Sequence, residues 1–399
     1  MNTYLFLIVF CLILIGSFFF NYIQKRLHIS AVILLLLSGV VLQLALPTFS
    51  MPDAYLKIFG TLGLLIIVLE AVVDLEVHGH NYKMFLMALG VSIVIVVLTS
   101  ALIAGGFMLA YNLSLHSAII YAIPLSIVSS AIVIPSLSNL EGVAKEFLIL
   151  ESIFSDIIGV LLFNFLISSN EINLVNISKF SMNFTFMLVL SLAITIVLGI
   201  ALSRDKVKNL HILILAVLIL SYSIAKWFHL SALLLILIFG VFLRNLPMIL
   251  NTRFGMKCLG NYLNHVTIHK NLHSMRDLIE DLGFIVRSIF FVLLGYSIKL
   301  SGLMSLKVIM LGFMVVVIAY AMRWVVLHRT SLSSDVVLAT TMAPRGLITV
   351  LLFFQIPDEL QSQIFDEGIT FFVVIASTLV MSGGLFYHRY AKKSLKANS

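Results

Sequence analysis

The sequence predicts an all-α polytopic membrane protein of about thirteen spanning helices. Three observations carry this: the composition, a succession of long apolar segments, and the placement of basic residues between them. Of the 399 residues, 61% are hydrophobic and 11% charged, whereas about a quarter of an average soluble domain is charged. A soluble chain of this size must cover its surface with polar groups, and this one has too few. The solvent for most of its surface is therefore lipid.

A spanning helix needs about 20 mainly apolar residues. By that measure spans fall at roughly 4–21, 29–47, 56–76, 83–111, 115–140, 144–169, 182–203, 209–226, 230–246, 276–298, 304–327, 333–355 and 366–389. No positive residue precedes the first segment, and Lys25 and Arg26 follow it. A secretory signal carries its charge in front, so this reads as a retained helix with its N-terminus outside.

The basic residues test the count. Alternating from that start, the inward side holds Lys25, Arg26, Lys83, Lys145, Arg204, Lys206 and Lys208. Arg253, Lys257 and Lys270 follow in the long loop after segment nine, then Arg329, and in the tail Arg389, Lys392, Lys393 and Lys396. The outward side holds Lys57, Lys179, Lys226, Lys299 and Lys307, with the acidic residues Asp358, Glu359, Asp366 and Glu367. This bias predicts a multi-pass protein of the inner or plasma membrane with its C-terminus in the cytoplasm. The net charge of +7 is a topology signal, and no nucleic-acid partner is implied. Cys11 and Cys258 suggest neither a disulfide framework nor a metal site. The tail of about ten residues is too short to fold alone, so the expectation is one transmembrane domain over 1–399 with no soluble regulatory domain.

Two segments are interrupted. Segment five contains Pro124 and the run Ser129-Ser130-Ala-Ile-Val-Ile-Pro135; segment twelve contains Ala343-Pro344-Arg345-Gly346. With segment seven as a linker, the remaining spans form two halves, and five corresponds to twelve. Interrupted helices in corresponding places point to a transporter site built on an inverted repeat. The plainer alternative is two proline kinks.

Six ionisable residues lie well inside the spans: Glu70, Glu151, Asp156, Arg287, Arg323 and Arg345. Intramembrane charges are costly and are usually functional or paired. At helical spacing Ser152, Asp156 and Gly159 share one face, and Gly159 lets another backbone approach Asp156. Glu151 lies on an adjacent face with Ser155 one turn on, so the Ser155 hydroxyl is expected to brace Glu151. Asp156 then reads as the ligand and Glu151 as its structural support. Ser129, Ser130 and Ser152 are candidate oxygen ligands for a hard monovalent cation. Arg345 is expected to compensate the negative ends of unwound helices. The spacing assigns no role to Arg287, and Glu70 is a candidate on charge balance alone, so both stand as secondary candidates.

The run Glu151-Ser152-x-x-Ser155-Asp156 resembles the Glu-Ser-x-x-Asn-Asp motif of NhaP- and NHE-type sodium/proton antiporters. The run Ser129-Ser130-Ala-Ile-Val resembles the broken helix of Kef-type potassium/proton antiporters. Arg323 follows Leu294-Gly295-Tyr296-Ser297, and Ala343-Pro344-Arg345-Gly346 resembles the later arginine-glycine motif. Leu69-Glu70 resembles the early Phe-Glu-Gly-Gly-Leu-Glu motif more weakly. The resemblance covers nearly the whole chain in order.

It implies a secondary active antiporter, not an enzyme, exchanging protons for sodium or potassium (lithium also) by alternating access, with a role in pH homeostasis and no cofactor. It implies two crossing broken helices, a core bundle near 83–169 and 304–389, and a dimerisation scaffold near 1–76 and 182–298. An elevator-like movement and a homodimer in membrane lipid follow from it. Asp156 becomes the carrier of proton and cation, with a Glu151–Arg323 ion pair beside it. Arg345 lies at the crossing, with Pro135, Pro344 and Gly346 in the broken helices. Two positions depart from the pattern: Ser155 replaces the usual Asn, and Ser129-Ser130 replaces an acidic Thr-Asp-Pro. Sodium and potassium therefore both stand as cargo. A single acid at the Ser155-Asp156 position implies electroneutral exchange, because members with two adjacent aspartates are electrogenic.

Other readings compete. A cation channel needs a filter of carbonyls or charge rings, and no such repeated loop is visible. An organic-anion symporter of related fold would place positive half-helix ends at its ligand, which the Asp156 carboxylate opposes. A non-transporting sensor would need an output domain. His265, His269 and His273 recur every fourth residue and suggest zinc binding or pH sensing. Leu263, Val266, Ile268 and Leu272 favour an amphipathic interfacial helix instead.

Overall fold

In a bilayer every backbone N–H and C=O must find an internal partner, so long apolar runs fold as helices. The computed structural model describes residues 3–27, 31–45, 65–66, 69–70, 82–137, 140, 142–168, 174–202, 210–227, 232–245, 265–297, 305–330, 336–357, 360–361, 365 and 368–398. The described helices are α1 (Thr3–Leu27), α2 (Ala31–Ala45), α3 (Tyr82–Tyr111), α4 (Leu115–Ser126), α5 (Ser130–Ser136), α6 (Val143–Ile167) and α7 (Leu174–Leu202). They continue with α8 (Leu210–Trp227), α9 (Ala232–Arg244), α10 (His265–Ser297), α11 (Leu306–Arg329), α12 (Val336–Thr341), α13 (Leu347–Phe353) and α14 (Gly368–Asn398). Among the described residues there is no strand.

Five stretches among them are long and apolar enough to cross a membrane: Lys83–Tyr111, Leu115–Ser136, Phe180–Leu198, Leu306–Arg329 and Gly368–His388. Shorter apolar helices lie at Leu7–Phe20, Ala31–Ala45 and Leu215–Ala225. Most of the span read at 56–76 lies outside the described residues. Span five is divided into α4 and α5, and span twelve into α12 and α13.

Span ten begins earlier than its apolar stretch. α10 is one helix of 33 residues from His265. No glycine or proline interrupts it before Gly283. The Arg276–Glu280 pair, 2.7 Å apart at i,i+4, supports its exposed turns. The backbone of His265, His269 and His273 thus belongs to the first turns of α10, and their side chains lie outside the described residues.

The chain forms two compact units. One holds Met1–Gly60, Lys83–Phe163 and Arg287–Ser399; the other holds Thr61–Tyr82 and Asn164–Val286. In the first, α2 and the end of α10 meet backbone to backbone. A Cβ on Gly39 would collide with the Val292 carbonyl, and one on Gly295 with the Leu36 carbonyl. The Ser17 and Ser288 hydroxyls add a buried 2.5 Å bond between α1 and α10. α11 and α14 pack against each other and against α12, the first half of the second broken helix. In the second unit α7, α8 and α9 pack side by side, and Ser191 Oγ donates to the Leu235 carbonyl at 3.2 Å.

Candidate functional site: the crossing of two broken helices

A helix breaks where its N–H groups find better partners outside the helical ladder. After α4, Ile127 and Ser129 are extended, with φ/ψ of −71/133 and −79/111. Three successive amides leave the ladder there. Val128 N–H donates to Ser155 Oγ at 2.9 Å. Ser129 N–H donates to the Pro344 carbonyl at 2.9 Å. Ser130 N–H donates to Asp156 Oδ2 at 3.1 Å. The second interruption has its own cause, because Pro344 lacks an N–H and biases Ala343 toward extended backbone.

The Ser129–Pro344 bond is where the two unwound segments meet. Gly346 permits it: a Cβ there would lie 2.5 Å from Ser129 Oγ and 2.8 Å from Ser129 Cβ. Its backbone (φ −151°) does not need glycine; the close approach does. On α6, a Cβ on Gly159 would collide with the Ile127 side chain. The sequence reading expected a backbone there, and the occupant is the side chain that leads the unwound segment past Asp156.

Arg345 and Arg323, both buried, serve helix ends. Arg345 donates through Nε to the Leu125 carbonyl at 3.0 Å and through Nη2 to the Ser126 carbonyl at 3.4 Å. Its Nη1 donates to the Ala343 carbonyl at 2.6 Å. The carbonyls of Leu125 and Ser126 close α4, where helical partners run out. Arg323 donates through Nε to the Ala339 carbonyl of α12 at 2.9 Å. Its Nη1 and Nη2 meet Glu151 Oε1 and Oε2 at 2.6 and 2.7 Å. Both side chains of this bidentate pair are about 1% exposed.

The two acids of α6 are therefore unlike. Glu151 has both oxygens held by Arg323. Asp156 is 4% exposed and has Oδ2 held by Ser130, whose hydroxyl also donates to it at 2.5 Å. Asp156 Oδ1 and Ser129 Oγ are buried without a hydrogen-bond partner among the described residues.

The structure thus gathers Asp156, Ser129, Ser130, Pro344, Arg345 and Gly346 at the crossing. Other candidates lie elsewhere or face other groups. Ser155 braces Val128 and not Glu151 as expected, because the broken helix presents a free amide one turn from Asp156. Ser152 Oγ donates to its own helix at Ile149, 2.9 Å away. Pro135 lies in α5 beyond the unwound segment. Glu70 is buried in the second unit, its carboxylate packed against Gly283. Arg287 is half-buried on α10.

Two residues at the crossing escaped the sequence reading. Tyr320 Oη faces the Ala343 carbonyl at 3.3 Å and the Ser377 carbonyl at 3.0 Å. Ser377 Oγ accepts from Arg345 N–H at 2.9 Å. Tyr320 carried one signal, its place one turn before Arg323 on the same face. Ser377 is a lone hydroxyl in an apolar run and carried none.

Comparison with known proteins places the chain in a family. The profile of the sodium/hydrogen exchanger family, transmembrane, matches residues 8–387. The chain belongs to that family. It is a multi-pass membrane transporter of the cation/proton exchange class and not an enzyme. Its fold is similar to that of the sodium proton antiporter MjNhaP1 from Methanocaldococcus jannaschii, with a TM-score of 0.74 at 17% identity. That match covers 96% of this chain and 100% of the other. A second structure of the same antiporter, from electron microscopy, gives 0.68 at 18% identity over 100% and 98% of the two chains. No curated protein sequence matches this chain.

Proposed function

We propose that the protein exchanges protons for sodium or potassium by alternating access, one for one, with Asp156 carrying both ions. The observation that carries this reading is the asymmetry of the Asp156 carboxylate: one oxygen is held by Ser130, and the other is buried without a hydrogen-bond partner among the described residues. Such a group can hold a proton or a monovalent cation, but not both well. The two therefore compete, and competition coupled to alternating access gives exchange driven by gradients alone. Ser129 Oγ and unwound carbonyls complete a hard oxygen set suited to such cations. Glu151 is neutralised by Arg323, which leaves Asp156 as the acid of α6 able to carry an ion and supports electroneutral exchange.

In this reading the bundle of 83–169 and 304–389 carries the ion, and helices within 1–76 and 182–298 form the scaffold of a homodimer in the cell membrane. The N-terminus lies outside and the C-terminus in the cytoplasm. The test uses purified protein in liposomes with an imposed pH gradient. Sodium, lithium, potassium and rubidium are added in turn. Collapse of the gradient by sodium or potassium supports the reading and ranks the cargo. Proton movement indifferent to every cation overturns it.

A further inference from the structure

We propose that Tyr320 is a positioning residue for cation binding. From α11 its one hydroxyl proton, shared between the Ala343 and Ser377 carbonyls, helps hold the unwound segment of the second broken helix against α14 and so helps fix where Ser129 and Ser130 meet Asp156. The proposal rests on the exchange reading above.

The argument starts from donors and acceptors. A tyrosine hydroxyl has one proton to donate. Tyr320 Oη stands between two carbonyls, Ala343 in the unwound segment at 3.3 Å and Ser377 in α14 at 3.0 Å. Neither depends on it. The Ala343 carbonyl also receives Arg345 Nη1 at 2.6 Å. The Ser377 carbonyl lies within α14, where the amide four residues on is its helical donor. Removing the hydroxyl therefore leaves no buried acceptor bare, and the stability cost is small. What is lost is the bridge from α11 to the segment and α14, leaving Arg345 N–H to Ser377 Oγ as their remaining hydrogen bond at this point.

That link leads to the ion site by short steps. Ala343 precedes Pro344, whose carbonyl accepts Ser129 N–H at 2.9 Å. Ser130 follows and donates N–H and hydroxyl to Asp156 Oδ2. Tyr320 stands one turn from Arg323 on α11, so one helix holds both the Glu151 pair and the crossing. Its ring lies 5.9 Å from the Arg345 guanidinium, within the range of a cation–π contact, and phenylalanine keeps that ring. Ser377 differs in kind. Its hydroxyl is the acceptor of Arg345 N–H, so Ser377→Ala strands a buried amide and destabilises the fold.

The experiment measures cation-dependent exchange in liposomes across pH for wild type, Tyr320→Phe and Asp156→Asn, with exposed Tyr387→Phe as control. Tyr320→Phe should fold with an unchanged melting temperature and keep its maximal rate. Its apparent KM for the cation should rise about threefold to tenfold, the worth of one neutral hydrogen bond, and its pH profile should move. Adding Ser130→Ala should produce less than the product of the two single effects, because both act on Asp156 through one path. Tyr387→Phe should match wild type. Folded Tyr320→Phe with wild-type KM and pH profile overturns the proposal. Loss of folded yield overturns it too, because the hydroxyl would then hold the fold and not the site. Wild type without exchange instead overturns the exchange reading, and this proposal with it.

Discussion

Glu151 and Asp156 stand little more than one turn apart on α6, and both are buried. Their surroundings differ in one respect that matters. Arg323 grips both Glu151 oxygens and also closes α12 through the Ala339 carbonyl. Asp156 is met on one oxygen by a serine, through one amide and one hydroxyl, and its other oxygen is buried with no hydrogen-bond partner among the described residues. A matched buried pair locks elements together, because separating it leaves a charge in low dielectric. A half-satisfied carboxylate has capacity left for an ion. The same residue class is thus fully paired in one place and half-satisfied in the other, which is the difference the proposed carrier role of Asp156 rests on.

The comparison breaks most plainly at Asp156. Asp156→Asn should abolish exchange while the protein stays folded, since the amide cannot alternate between proton and cation. Cation-driven proton flux in the purified variant would remove Asp156 from the mechanism.

The clamp should fail differently, in stability before transport. Glu151→Gln or Arg323→Gln alone should cost about 3–5 kcal/mol, the penalty of an unpaired buried charge, and lower folded yield. The double variant should lose less than the sum of the two. Additive losses in thermal or denaturant unfolding would show that the pair acts as two independent residues.

Gly346→Ala probes the ground between the two acids. The added Cβ would press on Ser129, and overpacking of this kind costs about 1–3 kcal/mol. Cation affinity should fall with it, because Ser129 precedes the serine that holds Asp156. A melting temperature and KM equal to wild type would mean the crossing is looser than its contacts imply.

The smallest expected effect is none at all. With Glu151 neutralised, each cycle should move no net charge. A potential of 100 mV acts on one charge with about 2.3 kcal/mol, so net charge movement would be easy to see. Initial rates in liposomes clamped at zero and at an imposed potential should agree. A clear voltage dependence would require a second titrating carboxylate, with Glu151 and Glu70 the first to examine.

Much of the fold was legible before any coordinates. Apolar segments with basic residues between them required a bundle of membrane helices, because only helices or closed barrels satisfy the backbone in lipid. Pro344 and the Ser129-Ser130 pair marked where two of those helices would be interrupted. The start of α10 was less legible, since its first turns are polar and apolar length was the measure applied.

By itself the sequence determined which acids lie within long apolar segments and which helices break. Those properties are local: they follow from hydropathy over about 20 residues and from proline's missing donor. Only the tertiary structure decided which group each side chain serves. Ser155 turns to Val128 and not to Glu151, Ser152 turns back on its own helix, and Tyr320 and Ser377 join the crossing. Helical spacing names the face a residue occupies and is silent on what stands opposite. Here the opposite groups are backbone amides and carbonyls freed by unwinding, and they carry no side-chain signature in the sequence.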